Sequence, residues 1–174
     1  MRIYQDSHPT LISVQVTGNT APNGGGIGVR FSSGVTMTNV TVAGNTAATN
    51  GGGMNFDYTV EGSIVNSILW DNSPEEIYIG TLGDAPQLSV SYSDIKGGQD
   101  DIVNGSYATW GAGNIDSNPL FTSALSGNYT PYTGSPVIDA GHPHSIYTDA
   151  DGTRNDMGFS GGSKLDMNPI EYDF

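Results

Sequence analysis

The densest run of oxygen ligands in the chain is Asp149-Ala150-Asp151-Gly152-Thr153-Arg154-Asn155-Asp156. Asp149, Asp151, Asn155 and Asp156 alternate around a glycine turn, a spacing that can wrap a hard cation such as Ca²⁺ at about 2.3–2.6 Å. The match to an EF-hand loop is partial, because no Glu stands at the closing position. The same residues also suit a hydrogen-bonded Asx-turn loop packed as a cap. Asp139 is a further oxygen donor for either arrangement.

Lyase chemistry on polysaccharides pairs carboxylates with an Arg or Lys base. The basic residues are Arg2, Arg30, Lys96, Arg154 and Lys164. Arg30 alternates with Val29 and Phe31 and so points outward, and Asp57 takes the same slot 27 residues later. Adjacent strands lie about 4.8 Å apart, so these two are expected to form a surface ion pair. Glycosidases need carboxylates across a scissile bond. Asp100-Asp101 and Glu75-Glu76 are the only adjacent like pairs, and both are expected in solvated turns. His142-Pro143-His144 reads as a turn rather than a two-imidazole metal site. Trp70 and Tyr78 fall on outward slots, where an aromatic ring can stack on a sugar; cover by a loop or by the C-terminal segment is the alternative for Trp70. No Gly-x-Ser-x-Gly elbow and no phosphate loop occurs.

A repeat positions these residues. Val16-Thr17-Gly18-Asn19-Thr20-Ala21 recurs 26 residues later as Val42-Ala43-Gly44-Asn45-Thr46-Ala47, and Leu69-Trp70-Asp71-Asn72-Ser73 follows after 27 more. Asn23-Gly24-Gly25-Gly26-Ile27 returns as Asn50-Gly51-Gly52-Gly53-Met54. Apolar residues alternate with a period of 2 between these corners, which excludes helical repeats and predicts short strands. The regular framework of leucine-rich repeats and the Asp of the calcium β-roll are both missing. A right-handed parallel β-helix of about three to four coils remains, all-β, with a loop-rich C-terminal cap.

Stacking such coils aligns Leu11, Met37 and Ile64; Val14, Val40 and Ser67; Val16, Val42 and Leu69; Ile27, Met54 and Ile77; and Val29, Phe56 and Ile79. Every column faces inward and is apolar except at Ser67. Asn19, Asn45 and Asn72 mark one corner and are expected as a structural ladder of side chains, in a left-handed conformation that Asn tolerates. The glycines are expected to supply positive φ at sharp turns. A fourth coil falls at residues 88–95, without an assignable inward face. The repeat is expected to end near residue 96, leaving residues 97–174 as a capping region on the same solenoid.

The 174 residues include 25 glycines and only 13% charged residues, which suits strands and tight turns rather than amphipathic helices. The net charge of −13 repels nucleic acids and anionic membranes and is compatible with cations. With no cysteine, disulfides and thiolate sites are excluded. No apolar run reaches the roughly 20 residues that span a bilayer. The first residues carry no signal-peptide core, so the compartment is not specified by the chain as given.

The order of five motifs carries a resemblance: Asn66-Ser67-Ile68-Leu69-Trp70, Tyr92-Ser93-Asp94-Ile95, and residues 114–121, 134–141 and 149–158. Together they resemble bacterial secreted right-handed parallel β-helix proteins of the pectin-lyase-like type, and more narrowly the C-terminal region of those with a choice-of-anchor Q ending. The resemblance covers about residues 11–162. It implies a surface or extracellular setting and contact with polysaccharide, and it fixes no activity. The family's many preceding coils and signal peptide are not in this chain, which is what a fragment or a truncated reading frame would give.

The expected function is therefore a non-catalytic surface module that binds carbohydrate or adheres. The alternatives are a remnant of a polysaccharide lyase or glycoside hydrolase, and a scaffold that only self-associates. A coil stack opened at its first turn exposes strand edges, so homo-oligomer formation through the N-terminal end is expected, for example as a two-fold dimer. If the 149–156 loop holds Ca²⁺, the melting temperature rises in millimolar Ca²⁺ and falls in EGTA; an unchanged melt removes the metal from the account.

Overall fold

In the computed structural model, which describes residues 1–58, 61–81 and 87–162, the chain is an all-β parallel solenoid of about four turns. Three parallel sheets make its walls. Sheet I stacks Arg2–Tyr4, Ile27–Arg30, Met54–Asp57, Ile77–Ile79 and Ile102–Val103. Sheet II stacks Thr10–Ile12, Gly34–Thr38, Glu61–Val65, Gln87–Ser91 and Ala108–Trp110. Sheet III stacks Gln15–Thr17, Thr41–Ala43, Ile68–Trp70 and Asp94–Ile95. Thr20–Asn23 pairs with Thr46–Asn50 at the remaining corner.

The registers follow the repeat. Leu11, Met37, Ile64, Val90 and Trp110 form one inward column. Val16, Val42, Leu69 and Ile95 form a second. Ile3, Val29, Phe56 and Ile79 form a third, beside Ile27, Met54, Ile77 and Ile102. These residues make one continuous core, buried except for the partly buried Leu11, Val16 and Trp110, and its removal from water is the main favourable term. The fourth coil turns Leu88 and Val90 inward.

Ser67 continues the Val14–Val40 column because this corner needs a donor and an acceptor. Its Oγ accepts the Val40 N–H at 3.1 Å and donates to the Val65 carbonyl at 2.9 Å. Ser93 repeats the arrangement one coil later, and Asn114 Oδ1 then accepts the Ser93 N–H at 3.0 Å.

The Asn column is a hydrogen-bonded ladder. The backbone N–H and the Nδ2 of Asn19 both donate to Asn45 Oδ1, at 2.9 and 3.0 Å. Asn45 donates in the same way to Asn72 Oδ1, both at 2.9 Å. The left-handed residue at this corner is the one before each Asn, namely Gly18, Gly44 and Asp71, a correction to the expected conformation of the Asn itself. The glycine triplets also divide their roles. Gly24 and Gly51 have positive φ, whereas Gly52 is needed for close approach: a Cβ there would lie 2.2–2.4 Å from the Ser73 backbone.

The stack does not end at residue 96. Ile102–Val103 pairs with Ile77 and Tyr78, Ala108–Trp110 pairs with Leu88–Val90, and Ile115 bridges Asp94. This last coil is shorter, with offsets of 25, 20 and 21 residues, so its kinship is lost to a search at 26–27. Downstream, Phe121–Ser123 and Asn128–Pro131 form an antiparallel hairpin. The segment that follows covers the outer face of sheet III. Ile68, Val137 and Met157 are buried there, with Trp70, Ile115 and Phe121 packed around them. Gly158 N–H donates to the Asn66 carbonyl at 2.8 Å, and Phe159 N–H to Thr41 Oγ1 at 3.1 Å. No described helix is long and apolar enough to cross a membrane.

Asn45 is fully buried and bonds to both neighbouring coils, whereas Asn19 is exposed at the first. Asn45→Ala strands several buried donors and acceptors, each costing about 1–3 kcal/mol. Urea unfolding is expected to show a loss of about 2–4 kcal/mol for Asn45→Ala and under about 1 kcal/mol for Asn19→Ala. Equal losses would refute the ladder's energetic role.

Candidate functional site

The Asn ladder ends on a carboxyl group. Glu76 Oε1 accepts the Asn72 backbone N–H at 3.1 Å, and Oε2 accepts Asn72 Nδ2. A carboxyl group suits this end of the column because each of its two oxygens offers an acceptor. Glu76 is 1% exposed, and its own N–H donates to Asp101 Oδ2 at 3.0 Å. Glu75 Oε1 accepts the Gly51 N–H at 2.7 Å. Glu75, Glu76 and Asp101 are therefore structural acceptors, not the solvated turn residues expected from sequence; only Asp100 is exposed.

Beside Glu76 lies a cleft of about 440 Å³, walled by Trp70, Asn72, Lys96, Asp101 and Asp116. Sheet III supplies Trp70, and the turn after Asp94–Ile95 supplies Lys96. Asp116 is fixed by the Gly97 N–H, which donates to its Oδ1 at 3.0 Å. Lys96 forms an ion pair with Asp71, and its Nζ stands 5.9 Å from the centre of the Trp70 ring.

Burial pushes the Glu76 carboxyl up to about 7 against the Asn72 hydrogen bonds, and the nearby Asp101 charge adds to the rise. Asp94, wholly buried one coil further on, is also raised to about 7 by burial, opposed by the Ser117 N–H and reinforced by Asp116 and Glu76. Lys96 is raised instead, chiefly by its hydrogen bond to Asp71, so it stays cationic and is unsuited as a base.

The other candidates disperse. Arg30 pairs with Asp57 as expected, with Nη2 at 2.9 Å and Nε at 3.1 Å from Oδ2. Arg154 donates to the carbonyls of Gly141 and Ala140 at 2.6 and 3.0 Å. Lys164 lies outside the described residues. Tyr78 sits between buried Ile77 and Ile79 on sheet I, on a different wall from Trp70. His142 and His144 each accept a backbone N–H at Nδ1, at 3.1 and 3.2 Å, which commits both rings to capping a turn.

The Asp149 loop is a clasp. Asp149 Oδ2 accepts the Asp156 N–H at 2.8 Å, and its Oδ1 accepts Gly162 N–H. Asp151 Oδ1 accepts the N–H and Oγ1 of Thr153, and Asp156 Oδ1 accepts the Asp139 N–H at 2.7 Å. Buried Asn155 and Asn39 bond side chain to side chain at 3.0 Å, tying the loop to the coils. Among the described residues, no three acidic or His side chains come together as metal ligands. Comparison with protein-family models, curated proteins and solved structures finds no match.

The two raised carboxyls set a pH dependence. Between about pH 4.5 and 7 the folded chain holds protons at Glu76 and Asp94 that the unfolded chain has released. Stability therefore falls as pH rises through this window and levels off above it. For Glu76 the change is on the order of 3 kcal/mol. Urea titrations at pH 5 and 8 are expected to show the drop in the natural chain and a much smaller one in Glu76→Gln/Asp94→Asn. A natural chain more stable at pH 8 than at pH 5 contradicts this assignment.

Proposed function

We propose that the protein is a non-catalytic β-helix module that binds carbohydrate in the Trp70 cleft. The observation that carries this reading is the cleft itself: an indole ring, the Lys96 ammonium and the carboxylates of Asp101 and Asp116 meet in one concavity. Sugars are recognised in this way, with a ring packing on the apolar face and charged groups taking the hydroxyls. The 134–162 segment packs behind Trp70 and so pre-orders its ring.

Catalysis is the weaker reading for two reasons. A lyase needs a neutral base, and every described Arg or Lys near a carboxylate or carbonyl is held as a donor. A hydrolase needs a free acid, and both Glu76 oxygens already receive Asn72. The raised proton affinity of Glu76 is nevertheless what a general acid would have, so hydrolysis is the reading to test alongside. A place among the secreted pectin-lyase-like β-helix proteins with a choice-of-anchor Q ending, at the cell surface, belongs to the same proposal. The order of the five motifs supports it.

Affinity electrophoresis against neutral and acidic polysaccharides is expected to retard the natural chain. Trp70→Ala should weaken retention at least tenfold, Trp70→Phe should restore part of it, and Tyr78→Ala should leave it unchanged. Melting curves confirm that the variants fold. No retardation by any polysaccharide overturns the proposal, and release of reducing ends or unsaturated products replaces it with the enzymatic one.

A further inference from the structure

We propose that the outer face of sheet I carries a second site, which binds a carboxylate bearing a neighbouring hydroxyl group. The register places Arg2, Gly28 and Asn55 on successive rungs of one outward column, with Tyr4 and Arg30 on the next. Gly28 has no side chain, so the column has a gap one rung wide. The gap is a cavity of about 40 Å³ walled by Arg2, Tyr4, Asn23, Arg30 and Asn55.

Asn55 gives the independent sign of a ligand. It is 1% exposed, and its Nδ2 donates to Asp57 Oδ2 at 2.7 Å. That bond fixes the amide orientation, since a flip would turn an oxygen toward the carboxylate. Among the described residues, its Oδ1 then has no hydrogen-bond partner. A buried acceptor left unpaired is unfavourable, and few occur in folded proteins. The proposed ligand supplies a donor from the cavity, which Asn55 helps to wall.

The cations call for the opposite. The chain carries a net charge of −13, yet two of the four described Arg and Lys residues, Arg2 and Arg30, meet at this cavity. Arg30 is held by Asp57 through Nε and Nη2 and lies 5.9 and 5.8 Å from the rings of Phe31 and Tyr58. Among the described residues nothing engages its remaining N–H groups, and the planar fork suits a carboxylate. No ion pair engages Arg2 among the described residues. A ligand that serves both sides has an anionic acceptor for the arginines and a hydroxyl for Asn55. The cavity admits those groups and not a sugar ring, so the remainder of the ligand lies outside, over Tyr4 or over Tyr78 on the rung after Asn55.

The same chemistry can come from a small free hydroxy acid or from an acidic sugar. Two probes separate these sources: lactate and glucuronate, each titrated at low salt into isotopically labelled protein and followed by amide shifts. Saturable shifts at Gly28 and Asn55 are expected with at least one of them; which one responds assigns the source. Acetate, lacking the hydroxyl, should bind at least tenfold more weakly, and glycerol should not bind. Gly28→Val closes the gap and Arg2→Ala removes a cation, and each should weaken binding at least tenfold. A Cβ at Gly28 meets only the Asn23 carbonyl oxygen, at 3.9 Å, so Gly28→Ala serves as a milder variant that folds. Polysaccharide retention through Trp70 should persist in all three. Absence of saturable binding by both probes overturns the proposal, as does undiminished binding in Gly28→Val and Arg2→Ala.

Discussion

Three coils are held at one height by a single row of amides. Asn19, Asn45 and Asn72 each hand two donors to the next acceptor in line. Nδ2 of Asn45 and of Asn72 also donates across the corner, to the carbonyls of Val16 and Val42. The row fixes the corner between sheet III and the Gly-rich turn, and the strands on either side can then pair without slippage. Every inward column depends on that registration, because a shift of one residue would turn Met37, Ile64 and Val90 to solvent. The row also decides where a buried carboxyl must stand. Asn72 needs an acceptor, the following turn has no further Asn, and Glu76 supplies the oxygens.

Much of this was legible in the chain. Offsets of 26 and 27 gave the columns, and the Arg30–Asp57 pair followed from alternation alone. Those features are set by backbone geometry, which repeats. The features that escaped depend on departures from the repeat. The final coil drops five or six residues from sheet II onward, so Trp110 and Ile115 no longer stand a full period from Val90 and Asp94. Glu76 looked solvated because its neighbour Glu75 and the proline at 74 mark a turn. What buries it is the end of a ladder, visible in sequence only as the first coil without an Asn at that corner. Asn55 and Gly28 look like ordinary strand residues, and their meaning comes from the gap between them.

The C-terminal segment, expected as a loop-rich cap packed on the solenoid, lies along a flank of it. Val137 and Met157 find Ile68, which sheet III turns outward beside Trp70. The polar clasp of Asn39 with Asn155, and of Asn66 Oδ1 with the His142 N–H at 2.6 Å, holds that contact in place. Trp70 is thereby caught between a packed flank and an open cleft. One sheet of the solenoid is spent on this cover, which leaves sheets I and II as walls with exposed outer rows. On sheet II the outward row is short and polar, running through Thr36, Ser63, Ser89 and Thr109 along a groove of about 370 Å³. On sheet I the arginines and tyrosines gather.

The amides of the ladder all point the same way, and this gives the row a direction as well as a height. Each side-chain dipole presents its positive end to the next oxygen, so their fields add along the column and converge on the carboxyl at its end. The Glu76 carboxyl, 1% exposed, thus receives the positive end of a polar row that begins two coils away at Asn19.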